Sequence, residues 1–232
     1  FKVTLQNVRV WGDVSTLALD DNNSALHEAW AEAKLTDKIS MKLGRQEIIY
    51  DNHRIFGNVG WAQQARSHDA FLFKIKPSDG HKLDVGFALN ADGQVRTDNF
   101  YSNAAGYKTF QYAWYHGDFD NIDVSVLALN TGIEYLKNAG LPTEEQAIDY
   151  MQTVGPRLTF KKDKFKADAS AYFQLGKVRD TDVQVSNFMI NLGYEVTDNF
   201  NLGAGMEYLS GKDMNDTEAT IKSFAPLFGT NH

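Results

Sequence analysis

Residues 165–173 read FKADASAYF, and this stretch decides the fold. Phe165, Ala167, Ala169, Ala171 and Phe173 hold the odd positions, and Lys166, Asp168, Ser170 and Tyr172 the even ones. Successive side chains of a strand point to opposite faces, so strict alternation predicts a strand between an apolar and a polar environment. The same rhythm recurs in both directions along the chain. Leu158 and Phe160 alternate with Arg157 and Thr159, and Leu202, Ala204 and Met206 with Gly203, Gly205 and Glu207. Upstream, Leu83, Val85 and Phe87 alternate with Lys82, Asp84 and Gly86, and Met41 and Leu43 with Lys42 and Gly44. Counting such units predicts about eleven strands of about nine to eleven residues, the length a tilted strand needs to cross a bilayer. Strands of soluble domains average about five or six residues.

The connections carry a second signal. Tight turns are predicted at Thr36-Asp37 and at 77–80, 117–121, 161–164 and 197–199. Between them lie longer polar segments at 12–24, 49–67, 90–106, 130–149 and, shorter, 176–182. A membrane barrel alternates in this way because one rim carries periplasmic turns and the other external loops. Aromatic residues add a third signal: Phe160 with Phe165, and Tyr194 with Phe200, bracket tight turns. Tyr150, Phe173 and Tyr208 stand toward the long loops. Aromatics at both ends of the apolar face match the two interfacial girdles of a membrane barrel.

Composition agrees by exclusion. Among 232 residues, 43% are hydrophobic, and no run of eighteen apolar residues exists that could form a membrane-spanning helix. Cysteine is absent, which removes disulfides and thiolate metal sites. A net charge of −7 argues against a nucleic-acid partner. Phe1 opens directly in a strand-like run, without the basic and apolar regions of a signal peptide. No linker or low-complexity tract interrupts 1–232, so a single domain is expected.

Three further stretches carry a family resemblance: LHEAWAEAKL (26–35) with MKLGRQEI (41–48), GWAQQARSHDAFLFK (60–74) and SFAPLFGTNH (223–232). Together they resemble the alginate-export family of bacterial outer-membrane β-barrels, along nearly the whole chain. The resemblance implies an all-β, antiparallel transmembrane β-barrel in the bacterial outer membrane, set among lipid and lipopolysaccharide. Because eleven strands do not close with an even count, the resemblance implies an incomplete portion of a larger barrel of about 18 strands.

If the apolar faces meet lipid, the polar faces meet the lumen. The expected pore-lining residues are Glu28, Glu32, Lys42, Lys74, Arg157, Lys166, Asp168 and Glu207. Ionised groups held inside must be paired or hydrated, so this row implies water or an ion-pair network. Gly44, Gly86, Gly155, Gly193, Gly203 and Gly205 share the face and are expected to leave room for a channel. Strict alternation would turn Arg45 toward lipid, so a bulge at Gly44 is expected to return it to the lumen. Arg54 and Arg66, in or beside the 49–67 loop, are expected at the external mouth.

The expected function is a porin-like channel for passive passage of polar or anionic solutes such as oligosaccharides or polysaccharide. The alternative is an accessory barrel that docks other envelope proteins and has no open pore. The expected lumen charges nearly balance, so anion selectivity does not follow from them. Catalysis is not expected: no G-x-S-x-G or H-E-x-x-H motif is present, and the six histidines are scattered. No cofactor or metal is expected, and the acidic runs at 20–23 and 213–216 are read as solvated loops.

Overall fold

A computed structural model describes residues 1–8, 24–91 and 106–230. The segment 12–24, but for Ser24, and most of 90–106 lie outside the described residues. The described chain is all-β, with eleven strands: β1 Lys2–Asn7, β2 Ser24–Lys34, β3 Ile39–Gln46, β4 His68–Ile75, β5 His81–Leu89, β6 Thr109–Phe119, β7 Ile122–Lys137, β8 Glu145–Lys162, β9 Phe165–Val178, β10 Thr181–Thr197 and β11 Phe200–Leu209. They follow one another in sheet order exactly as in sequence, which is the up-and-down connectivity of a membrane barrel.

The chain forms two compact units, Phe1–Leu72 with Pro226–His232, and Phe73–Ala225. In the second, each strand from β5 to β11 pairs antiparallel with the next, for example Asp123↔Thr159 and Thr159↔Asp168. Tight turns form where the sequence places residues that accept a left-handed backbone. Asp120 and Asp163 adopt φ of 57° and 51°, and Gly80 a φ of 74°.

Two of the predicted loops are strand instead. β7 and β8 run on to Lys137↔Glu145, which shrinks the expected 130–149 loop to 138–144. The expected 176–182 loop is a two-residue hairpin turn, with Arg179 and Asp180 at φ of 50° and 62°. Two successive positive φ values match the right-handed twist of the flanking strands. The strands β7 to β10 are therefore 14 to 18 residues long. Their outer ends turn polar because they extend beyond the apolar belt, and that polarity resembled loop sequence.

In the second unit the two faces divide cleanly. Leu158 of β8 and Phe188, Ile190 and Leu192 of β10 share one face and are 43–46% exposed, with Ala169 of β9 between Leu158 and Ile190. A contiguous apolar face of this extent needs lipid rather than water. Gln111, Asn130 and Gln152 cross that face higher up, linked by amide hydrogen bonds of 2.8 and 2.7 Å. From Ile122 to Asn130 the strand runs nine residues, about the length a tilted strand needs to cross a bilayer core, so the apolar belt below the amides suits one.

Candidate functional site

The opposite face of the second unit carries the candidate site. Alternation places Asp123, Thr159, Asp168, Asn191 and Gly205 in one cross-strand row. Arg157 lies one row further from the tight turns, opposite Ser125 and Ser170. Lys161 and Lys166 lie one row nearer the turns, directly opposite each other, with Gly193 beside Lys166. Arg157 Nη2 stands 2.8 Å from Asp168 Oδ2, and Thr159 Oγ1 donates to Asp123 Oδ2 at 2.9 Å. The row borders a cavity of about 430 Å3, lined by Asp123, Thr159, Lys161, Lys166, Asp168 and Asn191 among others.

Further from the turns, the same face becomes aromatic and closely filled. Phe110, Tyr112 and Tyr172 are buried there with Leu127 and Leu129. Of the glycines expected to leave room, Gly44, Gly86, Gly155 and Gly205 do not, and at Gly86 and Gly155 the neighbour is a tyrosine. A Cβ on Gly86 would run into the Tyr112 ring, its register partner, and a Cβ on Gly155 into the carbonyl of Ala171 and the Tyr172 ring. These glycines seat tyrosines, as glycines paired with aromatics do in curved sheets. Gly193 has room, the nearest atom to an added Cβ lying at 3.9 Å, whereas at Gly203 the Leu192 carbonyl would lie only 3.2 Å away.

A segment after β11 also meets this unit, and no periodic pattern in its residues marks it. Ile221 forms a parallel bridge to Val183, donating to Asp182 O at 2.8 Å and accepting from Gln184 N at 3.0 Å. Ala225 meets the buried Gln174 side chain through both of its backbone groups, each at 3.3 Å. Lys222 bonds Asp216 at 2.6 Å and Glu218 at 2.7 Å. Those two carboxylates push the Lys222 ammonium up to about 12, and the Lys222 hydrogen bond holds Asp216 below its ordinary value. A buried ion pair was also not foreseen: Lys108 Nζ lies 3.0 Å from Glu134 Oε2, with both side chains almost fully enclosed.

In the first unit, Glu28 is buried at 4% exposure and pairs with Lys2. Trp30 Nε1 donates to it at 3.0 Å. Lys42 caps the Trp30 ring at 4.0 Å from its centre, and Glu32 accepts from Ser40 at 2.6 Å. Charges here are satisfied locally, through ion pairing, a cation–π contact and hydrogen bonds.

The expected bulge at Gly44 is absent. The β2–β3 register runs Ala31↔Leu43, Trp30↔Gly44, Ala29↔Arg45 without a shift. Arg45 therefore stays on the side of Leu43, and Gln46, wholly buried, takes the other side. Instead of turning inward, Arg45 bonds Asp69 Oδ2 at 2.9 Å and Leu26 O at 2.8 Å. Its place near the end of β3 spares it the cost of a midplane charge.

Arg54 is buried in the 49–67 segment, and Arg66 Nη1 donates to Gly57 O and Gly229 O at 3.3 and 3.1 Å. Both arginines thus brace the segment. Beside them Phe56 stacks on Phe228 with ring centres 5.2 Å apart, and His68 stands edge-on to both. Of the other expected residues, Lys74 is half-buried in β4, and Glu207 accepts from Asn187 at 2.7 Å. The structure brings Arg157, Lys166 and Asp168 together and leaves the remainder dispersed along the sheet.

A family model described as "Alginate export" matches residues 1–232. Among solved structures, a porin is similar with a TM-score of 0.47 and 8% identity, covering 84% of this chain and 60% of that one. The outer-membrane expressed OmpT of Vibrio cholerae is similar with a TM-score of 0.49 and 14% identity, covering 81% of this chain and 60% of that one. The chain spans 60% of the length of each. No curated protein matches it in sequence.

Proposed function

The chain belongs to the alginate-export family, and from that premise we propose that it forms a porin-like channel passing polar or anionic solutes, oligosaccharides or polysaccharide among them. It is an outer-membrane β-barrel chain of a transport family. The observation that carries the reading is the division of the second unit's inner face. Its turn-side half holds Asp123, Lys161, Lys166 and Asp168 around an open cavity, with Arg157 beside Asp168 one row away, and charged groups at that density require water. The loop-side half narrows on Phe110, Tyr112 and Tyr172. A hydrated vestibule leading to a constriction is the arrangement by which channels select.

Planar-bilayer recording of the complete protein tests this. Stepwise conductance at neutral pH is the expected result. A sealed membrane under every voltage and salt condition, with correctly folded protein inserted, would sink the channel.

One observation favours a second reading. The tyrosines seated on Gly86 and Gly155, and the Gln174–Ala225 contact, fill the inner face where a wide pore would need space. An accessory barrel that docks envelope proteins would tolerate that filling. It predicts co-purification of a stable envelope complex in mild detergent, together with no conductance.

A further inference from the structure

We propose that the amide row Gln111–Asn130–Gln152, on the lipid-facing side of the second unit, binds the N-acylated, hydroxyacylated sugar lipid that anchors lipopolysaccharide. The row is set in apolar surface. Phe87 and Leu175, both exposed, are its register neighbours across the sheet, beside Gln111 and Gln152. Along β8, exposed Val154 and Tyr150 flank Gln152 on the same face. Polar groups in such surroundings must find partners on the protein or on a lipid, because no bulk water reaches them.

Within the row that need is met in one direction. Gln152 Nε2 donates to Asn130 Oδ1 at 2.7 Å, and Asn130 Nδ2 to Gln111 Oε1 at 2.8 Å. Gln111 Nε2 donates to Thr109 Oγ1 at 2.7 Å, and Thr109 Oγ1 to the Ala88 carbonyl at 2.8 Å. Every link donates toward β5, so each bond polarises the next. Gln152 heads the chain. It is exposed, and its Oε1 accepts from no group among the described residues. Each amide also carries two N–H groups and spends one within the chain. The row therefore offers the lipid one acceptor and several donors.

That demand selects the lipid. At the depth of their acyl linkages, glycerophospholipids present ester oxygens, which only accept and leave Gln152 Oε1 unanswered. An amide-linked, hydroxylated acyl chain supplies an N–H or O–H to that oxygen and a carbonyl to the spare donors. Depth agrees with this choice. The row closes the apolar belt on the side away from the tight turns, which is the external side of such barrels, where lipopolysaccharide forms the leaflet. An acyl chain running inward from the row passes over Ala113 and Ala128, register partners whose short side chains lie between Val85 and Val154. The site stands whether or not the lumen conducts.

The complete protein in detergent, titrated with lipid A and with phosphatidylglycerol and read by native mass spectrometry, tests the assignment. Lipid A is expected to bind at least about tenfold more tightly than phosphatidylglycerol. Gln152→Leu should weaken lipid A about tenfold and leave phosphatidylglycerol unchanged, and Asn130→Leu/Gln152→Leu should weaken lipid A at least as much. Both variants place apolar side chains on an apolar surface, and a heat-modifiable band on gels controls for folding. Equal binding of the two lipids, or unchanged lipid A binding in folded Gln152→Leu, overturns the site. Because the chain has no cysteine, Gln152→Cys gives one further readout in native outer membranes. No cross-link between copies is expected; an efficient disulfide-linked dimer would give the row to a second copy of the chain and overturn the lipid site.

Discussion

Gln174 holds both backbone groups of Ala225: its Oε1 accepts from the Ala225 N–H and its Nε2 donates to the Ala225 carbonyl, each at 3.3 Å. The same Nε2 lies 3.2 Å from Thr153 Oγ1, and the side chain is 2% exposed. A buried amide that clasps both backbone groups of one residue fixes a segment that has no strand of its own.

Gln174→Ala should therefore loosen 210–225 while sparing the sheet. Losing two weak bonds to a buried partner costs about 1–2 kcal/mol locally, or about tenfold or more in opening. Amide exchange at Ile221 and Phe224, whose N–H groups bond Asp182 O and Ser210 O, is the readout. Unchanged protection there would show that the Ile221 bridge holds the segment without Gln174.

The Lys222 contacts set a pH window for the same segment. Asp216 is held below its ordinary 3.8 by Lys222, so its contribution is present above that value and is lost as pH falls through the lowered one. Lys222 is raised from 10.5 to about 12 by Asp216 and Glu218. Its contribution is complete below 10.5 and is lost as pH rises through about 12. Protease resistance across 212–224 is expected to stay level from about pH 4 to 10 and to fall outside that window. A transition near neutrality would point to some other group.

The strands were legible because period-2 alternation survives at nearly every position from Phe165 to Phe173, and one face of it had to be apolar. The upper parts of β7 and β8 were not. Asn130 and Gln152 sit on the apolar face and break the alternation, and only the ladder shows that they bond each other. Arg157 and Asp168 were placed on the inner face by parity alone; that they touch depends on the β8–β9 register, which the sequence does not encode locally. Gly86 and Gly155 were misjudged for the same reason, since a glycine looks like room until its cross-strand tyrosine is known.

Gly155→Ala tests that seat. An added methyl would meet a backbone carbonyl as well as the Tyr172 ring, and backbone cannot swing aside. Overpacking of this kind costs about 1–3 kcal/mol. Urea unfolding in lipid vesicles should show a lowered midpoint with an unchanged slope. Gly211→Ala, which adds a methyl where nothing lies within 4 Å, serves as the neutral comparison. Equal stability of the two variants would mean that Tyr172 and Ala171 yield without cost.

Ion selectivity separates the arginine that faces inward from the one that does not. Arg157 is 18% exposed on the inner face, paired with Asp168 of the next row, whereas Arg45 is 40% exposed and paired with Asp69 on the side of Leu43. Arg157→Glu with Lys166→Glu changes the inner face by four charge units, since each substitution replaces a cation with an anion. In a channel lined by that face, such a change should raise the cation-to-anion permeability ratio by roughly severalfold. Arg45→Gln should leave the ratio unaltered, and because an exposed ion pair contributes about 0–1 kcal/mol, stability should barely move. Reversal potentials in a salt gradient measure both. A shift from Arg45→Gln equal to that of the double variant would mean that Arg45 reaches the pore, against the uninterrupted register through Gly44.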